Sequence, residues 1–534
     1  MDHHGTLGSC RTALAATEID ALKEELAAVS HFKAPFSKSI LKAAVSASCL
    51  LLAGCAVGPD FKRPDAPPNG FNRAPLNATA SSNTSGGAAQ SFKAGGDVTE
   101  TWWTLFQSPA LNTLLDEAVK NNPNLQAAQA SLRQAQETLK SQQSILFPAV
   151  DGKVNYLRQK SYGSFGGGGA QSIPAYTVTT ASLQVSYALD FFGESRRVLE
   201  STRARTEQTH FQMEAAYLTL TSNVVVAAVQ QAALRAQLAA LQAILDVQEQ
   251  QLGVLRRQLE LGGVAEADVL TQQTAVAQTR AQLPALQKQV AQTGNQLLAL
   301  AGRFPDDALP TEFDLASLHL PEELPVSLPS QLVEQRPDIR AAEAALHSAS
   351  AEIGVATAEM LPKISLNASY GSSASSFDSL FGAGSGIWSL SAGLTQPLFH
   401  GGQLLHQRRA TVAAFDAAAA QYRGTVIGAF QNVADVLQAL QVDADAVKAQ
   451  LDAERSAAQS LSIAQNSYQS GAVSFLVLLD AQRTYQQARV ALVQAQAARF
   501  SDTAALFVAL GGGWWNRPDQ TEAKDTSSVF DFLN

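Results

Sequence analysis

The chain has 534 residues, of which 46% are hydrophobic and 16% charged, and its formal net charge is −9. This length and composition exclude intrinsic disorder as the main state. The acidic balance, with no cationic block beyond the N-terminal region, excludes nucleic acid as a partner.

The N-terminal region ends in the pattern of a secretion signal. Three lysines precede an apolar run over residues 43–52, and small residues stand directly before Cys55. This order is typical of a secretory signal, and the run is too short to span a membrane as a helix. The ending resembles a bacterial lipobox, so we expect residues 1–54 to be removed and Cys55 to be lipidated. The alternative is a signal anchor with an incidental cysteine.

The residues on either side of this signal predict a location and a translation start. Ala56 follows Cys55, where an Asp usually keeps a lipoprotein in the inner membrane. We therefore expect the outer membrane, with several acyl chains as the anchor. Residues 1–28 are acidic where a signal should begin, which favours a true start at Val29. The other two cysteines precede Cys55, so the chain beyond Cys55 cannot form a disulfide.

The most informative pattern is an internal duplication. The segment NPNLQAA at residues 122–128 is echoed by RPDIRAA at residues 336–342. Three landmark pairs share a separation of 214 residues: Pro123 and Pro337, Pro148 and Pro362, and Tyr156 and Tyr370. Each copy then continues through alternating stretches, a long helical pattern, a glycine and another helical pattern. The order predicts two copies of one structural unit.

Four stretches alternate apolar and small polar residues, as strands with two unlike faces do. They cover residues 150–156, 183–189, 364–370 and 388–395, the first being the weakest. Gly/Ser-rich loops near residues 163–175 and 371–386 join them in pairs. Four aromatic residues stand on the apolar faces, as in outer-membrane barrels: Tyr156, Tyr187, Tyr370 and Trp388. The alternative is a water-soluble antiparallel sheet.

Four strands cannot close a membrane barrel, because such barrels begin at about eight strands and an open edge leaves backbone groups unpaired in lipid. We therefore expect other subunits to complete the barrel. The polar faces would line its lumen with small neutral side chains, which predicts weak selectivity there. These residues are Gln184, Ser186, Ser365, Asn367, Ser369, Ser389, Ser391 and Thr395.

Two helical stretches of about 65 to 70 residues carry coiled-coil spacing. The first seam runs through leucines from Leu234 to Leu259, with Gln248 at its one missed position. The second runs from Leu437 to Leu461, with Glu454 at the missed position. At 1.5 Å per residue each stretch predicts a rod of about 100 Å. The alternative is a soluble coiled-coil rod.

Residues 55–64, CAVGPDFKRP, are followed by Trp102-Trp103 and Leu105-Phe106 ahead of the first duplicated unit. Together with the duplicated order, they resemble the lipoprotein (NodT-like) branch of the TolC/OprM outer-membrane factor family of RND-type efflux systems. The resemblance extends from Cys55 to about Trp515. It implies a mainly α fold with a membrane β part: a long coiled-coil α-helical barrel and a transmembrane β-barrel, with four strands per protomer and twelve in a homotrimer.

The same resemblance implies an exit channel that passively conducts small molecules, an inner-membrane RND-type transporter and a periplasmic adaptor as partners, and outer-membrane lipid around the barrel. No cofactor is expected apart from the lipid on Cys55. We expect six segments. They are 1–54 (upstream extension and signal), 55–120 (lipidated segment and first equatorial region), 121–310 (first repeat), 311–333 (linker), 334–512 (second repeat) and 513–534 (tail).

The family places two helical hairpin tips per protomer at the periplasmic end, where the adaptor docks. The resemblance assigns these tips to Gly262 and Gly471, and both glycines suit a helix end. It also assigns a gate that holds the aperture shut to Asp268, Tyr468 and Asp480. Two valines, Val473 and Val477, stand where a gate arginine and a second pore acid are found in TolC. Without the resemblance, Asp268 and Asp480 are solvated acids in early helical turns.

The sequence contains no phosphate-binding loop, nucleophile elbow or zinc-protease helix, so we do not expect an enzyme. The main alternative is a lipid-anchored periplasmic adaptor. Such an adaptor carries one hairpin with lipoyl-like segments, whereas this chain has two hairpins and two amphipathic strand pairs.

Overall fold

The computed structural model describes residues 56–67, 70, 78–160, 162–163, 171–172, 174–308 and 313–517. The predicted signal, Cys55 and most of the predicted tail lie outside the described residues. The chain divides into two units, Met1–Ala56 and Val57–Asn534, and the account below concerns the second.

The first half alternates helices and strands in the predicted order. Its elements are β1 (Ser91–Ala94), α1 (Pro109–Asn121), α2 (Pro123–Gln143), β2 (Ala149–Gln159), β3 (Tyr162–Gly163), β4 (Gln171–Ser172), β5 (Tyr176–Leu189), α3 (Glu194–Glu260) and α4 (Glu266–Leu300).

The second half repeats the plan, and its long helices have the same lengths as those of the first. Its elements are β6 (Glu323–Val326), α5 (Pro329–Gln335), α6 (Pro337–Ala358), β7 (Lys363–Ala374), β8 (Gly386–Thr395), α7 (Gln403–Gln469) and α8 (Phe475–Ala509). The predicted duplication is therefore present in the fold.

Local sequence explains where these helices begin. Proline occupies the first turn of α1, α2, α5 and α6, where its missing N–H costs nothing. Asn122 caps α2 because its side chain accepts hydrogen bonds from the N–H groups of Asn124 and Leu125. Gly193 and Gly402 precede α3 and α7 at φ 80° and 86°, so each long helix leaves the sheet through a left-handed residue.

The four predicted strands form one antiparallel sheet in the order β2-β5-β7-β8. Its register places Leu183 opposite Tyr370, and Tyr370 opposite Trp388, on one apolar face. Gln184, Ser369 and Ser389 lie side by side on the other face. The predicted lining residues therefore share one face of the sheet.

Two details differ from the sequence expectations. The polar face also carries Asp151 opposite Gln184 and Lys153 opposite Ser182, so its side chains are not all neutral. Because β2 alternates only weakly, its sequence did not indicate that Asp151 and Lys153 belong to the polar face. The stretch predicted as a plain loop near residues 163–175 contains a two-strand ladder, in which Tyr162 lies opposite Ser172.

The helices α3 and α7 contain 67 residues each and are about 100 Å long. α3 packs against α4, α6 and α8, and α7 packs against α6 and α8. By length and composition alone α3 could also cross a membrane, but 56% of its most apolar window is buried inside the protein. Packing against protein explains that apolar stretch.

The largest core lies halfway along the molecule, where the duplicated halves meet. Trp102 and Phe106 are fully buried, and Trp102 stacks on Phe507 of α8 with ring centroids 5.4 Å apart. The parallel pair β1 and β6 joins the N-terminal segment to the linker between the halves. This central core fixes the position along the long helices from which the two helical hairpins extend.

A buried arginine ties the N-terminal segment to α8. Arg499 is 0% exposed, and its Nη2 donates to the Thr79 hydroxyl at 2.8 Å and to the Ala88 carbonyl at 2.7 Å. Beside it, buried Gln90 donates to the Pro321 carbonyl at 3.1 Å. Arg499 thus satisfies carbonyl groups that the core would otherwise leave unpaired.

An acid pair next to Arg499 should make the stability depend on pH. Burial, with a hydrogen bond and the charge of Asp502, raises the pKa of Asp443 from 3.8 to about 7. The folded state therefore holds this proton more tightly, and stability should fall as pH rises from about 4 to about 7. Asp443→Asn should flatten this dependence, measured as the thermal midpoint at pH 5 and pH 8.

The matched control is Asp445→Asn, at an exposed acid two residues along α7. It should keep the wild-type pH dependence. An Asp443→Asn protein with the same loss of stability between pH 5 and pH 8 as the wild type would contradict the assignment.

Candidate functional site

Each hairpin turns at the glycine predicted for it. Gly262 and Gly471 have φ of 70° and 75°, and their N–H groups donate to the carbonyls of Leu259 and Tyr468 at 2.9 and 3.0 Å. The following N–H reaches back by five residues in both turns, as in a Schellman motif. A side chain at either φ would be strained, so the two glycines set the sharp ends of the hairpins.

The ends of the two hairpins share one apolar cluster, which we call the tip cluster. Leu255 and Leu478 are 0% and 1% exposed within it. Its buried members are Leu245, Leu252, Leu255, Val269, Ala275, Val276, Ala464, Phe475, Leu478 and Leu479. Because all four helices contribute, the tips of one chain are packed together.

The structure brings two of the three predicted gate residues together. Tyr468 packs against the tip cluster, with its ring edge-on to Phe475 at 5.7 Å. Burial, and then the charge of Asp268, raise the pKa of Tyr468. The phenol is therefore held neutral, and the carboxylate of Asp268 is near enough for its charge to contribute to this shift. The third predicted gate residue, Asp480, is exposed near the start of α8.

Exposed apolar residues stand near Asp480 in α8 and at the first tip, which the sequence reasoning missed. Leu476 stands one helical turn before it and is 66% exposed, and Val477 is 48% exposed. Leu261, beside the first tip glycine, is 86% exposed. An acid and a leucine four residues apart lie on the same face of a helix. This end of the molecule thus presents exposed apolar side chains among charged ones, which include Arg256, Arg257, Glu260 and Glu266.

The two polar positions in the helical seams have different partners. Gln248 is buried, and its backbone carbonyl accepts a hydrogen bond from the amide of Gln272 at 2.8 Å. Glu454 pairs with Arg489 of α8 at 3.5 Å. In both seams the polar residue therefore contacts the facing helix, and the helix packing is not interrupted there.

Two cavities of different character lie between the helices near the tip cluster. A cavity of about 430 Å³ has a largely polar lining, which includes Gln248, Thr279, Gln282, Arg483, Gln486 and Gln487. A second, of about 520 Å³, has a mostly apolar wall that includes Ala236, Ala240, Ile244, Val247 and Leu461, with Gln465, Gln482, Tyr485 and Arg489 as its polar members. The first cavity therefore suits polar groups, and the second combines an alanine-rich wall with a few polar side chains.

The residues just after Cys55 form a strap across the sheet end of α3. Val57 donates to the Phe192 carbonyl at 3.0 Å. Buried Arg197 donates to the Val57 carbonyl at 3.1 Å and to Asp60 at 2.8 Å. The sequence motif GPDF thus has a docking site, whose arginine the sequence reasoning did not single out.

Two glycines allow the strap to lie close to α6. Gly58 has φ 99°, and a Cβ there would meet the Cα of Gly354 at 2.4 Å. Phe61 stacks on His347 with ring centroids 4.3 Å apart. A glycine within the helical pattern was the one signal in the sequence for this close approach.

Arg197→Ala should release the strap. Charge-assisted hydrogen bonds contribute about 1.5–3 kcal/mol, so the open population should rise about tenfold or more. Trypsin should then cut faster after Lys62, as followed by N-terminal sequencing of the fragments; the bond after Arg63 is not a trypsin site because Pro64 follows it. Arg205→Ala, at an exposed arginine about two turns further on in the same helix, is the control and should leave the cleavage rate unchanged. Equal rates for both variants would contradict the role of Arg197.

Among the residues that the structure describes, no group of three or more His, Cys, Asp and Glu side chains is placed to hold a metal ion. The features described here are the surface of the hairpin tips, the walls of the two cavities and the glycine turns.

Comparisons with known proteins agree over both halves. A family profile described as "Outer membrane efflux protein" matches residues 114–303 and 328–512. The probable efflux pump outer membrane protein TtgC of Pseudomonas putida is 30% identical over 489 residues, which cover 91% of this chain and 97% of that protein. The cation efflux system protein CusC of Escherichia coli is 31% identical over 469 residues, 87% and 97% of the two chains.

A solved structure extends the agreement to three dimensions. The outer membrane protein VceC from Vibrio cholerae shares 28% identity, covers 78% of this chain and 100% of that chain, and aligns with a TM-score of 0.73. The similarity in sequence and in structure therefore extends well beyond one segment.

Proposed function

Because the chain belongs to the outer membrane efflux protein family, we propose that three copies form a passive exit duct, with a twelve-stranded β-barrel continuing into a helical tunnel. The chain is an outer membrane efflux channel. It is not an enzyme and uses no cofactor besides lipid. The alternative of a periplasmic adaptor is not supported, since the named relatives are outer membrane proteins.

The observation that carries the proposal is the sheet. Its four strands have one apolar and one polar face, and β2 and β8 leave open edges. An open edge in lipid is costly because its backbone groups have no partner. Antiparallel pairing of β8 with β2 of the next copy closes the barrel without reversing any strand.

Lipid and partner proteins complete the proposed assembly. Cys55 carries the lipid, and the six segments bounded at residues 54, 120, 310, 333 and 512 are the functional divisions of the chain. An inner-membrane RND-type transporter supplies the compounds and the energy. The periplasmic adaptor docks at the tips around Gly262 and Gly471, where exposed Leu261 and Leu476 offer apolar contacts.

The tips form the closed gate. Asp268 and Tyr468 hold neighbouring hairpin ends together, and Asp480 adds one acid per copy at the constriction. On the polar face of the sheet, Asp151 and Lys153 offset each other in charge. The resting channel therefore conducts rarely, and its mild preference is for cations.

The gate is tested by the double variant Asp268→Asn with Tyr468→Phe. If each of the three copies loses a polar contact of about 0.5–1.5 kcal/mol, the open probability should rise about tenfold or more. The measurement is single-channel conductance in planar bilayers, after fractionation has shown the protein in the outer membrane. Asp452→Asn, at an exposed acid in α7 that lies before Tyr468 and away from the tip, is the control and should behave like the wild type.

Unchanged opening of the double variant would contradict the gate while leaving the channel intact. A strong anion preference of the wild-type channel would contradict the role of Asp480. A protein that is soluble and non-conducting once its lipid is removed would contradict the duct itself.

A further inference from the structure

The cavity of about 520 Å³, which we call the alanine cavity, lies between three helices of a single chain. Its lining residues belong to α3, α7 and α8. Because α3 and α7 both pack against α8, α8 forms the floor of the cavity and the other two helices form its walls. Cavities of this size hold small organic molecules in other proteins.

Small side chains on α3 give the cavity its flat apolar wall. The wall residues recur at three- and four-residue steps, so they lie on one face of the helix: Ala236, Ala239, Ala240, Ala243, Ile244 and Val247. Ala239 and Ala243 are exposed, so the cavity opens to solvent along this wall. A row of methyl groups projects little from the helix, and it therefore suits a planar apolar body.

Two buried glutamine oxygens at the cavity have no hydrogen-bond donor. Gln482 of α8 is 4% exposed, Gln248 of α3 is 3% exposed, and both residues line the cavity. Among the residues that the structure describes, none donates a hydrogen bond to the side-chain oxygen of either glutamine. Buried polar atoms in proteins ordinarily have a partner. The cavity therefore suits an occupant that carries a hydrogen-bond donor.

Arg489 gives the same cavity a positive charge. Its Nη1 lies 3.5 Å from the carboxylate of Glu454, which is long for a charge-assisted hydrogen bond. A guanidinium carries five N–H donors in a fork, so Arg489 can bind a second carboxylate while it keeps Glu454. Arg489 and Gln482 are seven residues apart, about 10 Å along α8. The positive charge and the buried acceptor thus stand at opposite ends of the floor.

We propose that the alanine cavity binds a planar aromatic carboxylate with a hydroxyl group at its far end. The carboxylate pairs with the guanidinium of Arg489, and the hydroxyl donates to the side-chain oxygen of Gln482. The aromatic rings lie against the alanine wall, beside Tyr485, which also lines the cavity.

An occupant of this site contacts both halves of the duplicated chain, because α3 belongs to the first half and α7 and α8 to the second. A ligand that binds only the folded protein raises its thermal midpoint. The site does not depend on the proposed duct, since one chain supplies the whole lining of the cavity.

The probe is 6-hydroxy-2-naphthoate, a fluorescent molecule with the carboxylate and the hydroxyl on opposite ends of two fused rings. It is titrated with the whole protein in lipid nanodiscs at pH 7, with empty nanodiscs as the blank. We expect saturable binding and a higher thermal midpoint. Two analogues separate the contacts: 2-naphthol lacks the carboxylate and 2-naphthoate lacks the hydroxyl. Each should bind about fivefold to tenfold more weakly than the probe.

Variants of the cavity are compared with the same changes in the other cavity. Ala240→Leu fills the space beside α3 and should abolish binding, whereas Ala491→Leu, in the cavity of about 430 Å³, should not affect it. Arg489→Gln should weaken binding of the probe about tenfold and leave binding of 2-naphthol unchanged. Arg483→Gln, also in the other cavity, should leave both affinities at the wild-type value.

Loss of binding in Ala240→Leu together with weaker binding in Arg489→Gln would confirm the site. If Ala240→Leu does not fold, Arg489→Gln and the comparison with 2-naphthol still decide. Equal affinity for the probe and 2-naphthol would show adventitious apolar binding only, and would overturn the carboxylate site. The proposal would also be overturned by equal losses in the matched variants, or by the absence of saturable binding, as expected of a cavity that holds water or is covered by another protein.

Discussion

Leu390→Lys should block assembly of the channel in the outer membrane. Leu390 lies near the middle of β8 on the apolar face, opposite Ala368, and is 71% exposed in the single chain. A lysine on the lipid-facing side near the bilayer midplane costs about 2–4 kcal/mol, and a trimer would carry three. The measurement is the amount of trimer in outer-membrane fractions on an unheated gel.

Ser391→Lys is the matched control, because it places the same charge one residue away on the polar face, opposite Asn367. Its trimers should form at near wild-type levels and conduct with a reduced cation preference. Normal assembly of Leu390→Lys, or loss of assembly in both variants, would contradict the assignment of the two faces.

Arg499→Ala should be the most damaging substitution in the central core. It removes the donor to Thr79, Ala80 and Ala88, and leaves buried acceptors unpaired in a cavity. Breaking such a buried charged network costs about 3–5 kcal/mol of unfolding free energy. The nearby Asp443 also loses the cation that lowers its pKa, so the pKa of Asp443 rises further. The temperature at which trimers dissociate measures the effect.

Arg489→Ala, ten residues earlier in α8, is the control. It distinguishes the effect of losing a buried arginine from the effect of losing an arginine charge. Arg489 is half-exposed and pairs with Glu454 at 3.5 Å, an arrangement that contributes at most about 1 kcal/mol. Its trimers should dissociate at nearly the wild-type temperature. A larger shift for Arg489→Ala than for Arg499→Ala would contradict the role assigned to the buried arginine.

Most of the fold could be predicted from periodic patterns in the sequence. Alternation of apolar and small polar residues located the strands, because side chains of a strand point to opposite faces every second residue. The seven-residue repeat of leucines located the long helices, and glycines marked their turns. The duplication then predicted that the second half repeats the first. Asp268 and Tyr468 were placed by resemblance to a family, and their proximity is a separate observation.

Contacts between distant segments could not be read from such patterns. Arg197 and Arg499 resemble ordinary charged residues of a helix, and only the fold brings Val57 and Thr79 to them. The hydrogen bond between Asp443 and Asp502 joins α7 to α8, and nothing in the helical repeat marks these two acids as partners. The charges of β2 were missed because its alternation is weak.

The open edges of the sheet also determine how a defective chain affects trimers that contain normal chains. A chain whose β8 edge is faulty can still offer its β2 edge to a normal neighbour, so the fault enters a mixed ring. If normal and faulty chains are made equally and combine at random, only about one ring in eight contains three normal copies. A single defective allele is therefore expected to be dominant over a normal one.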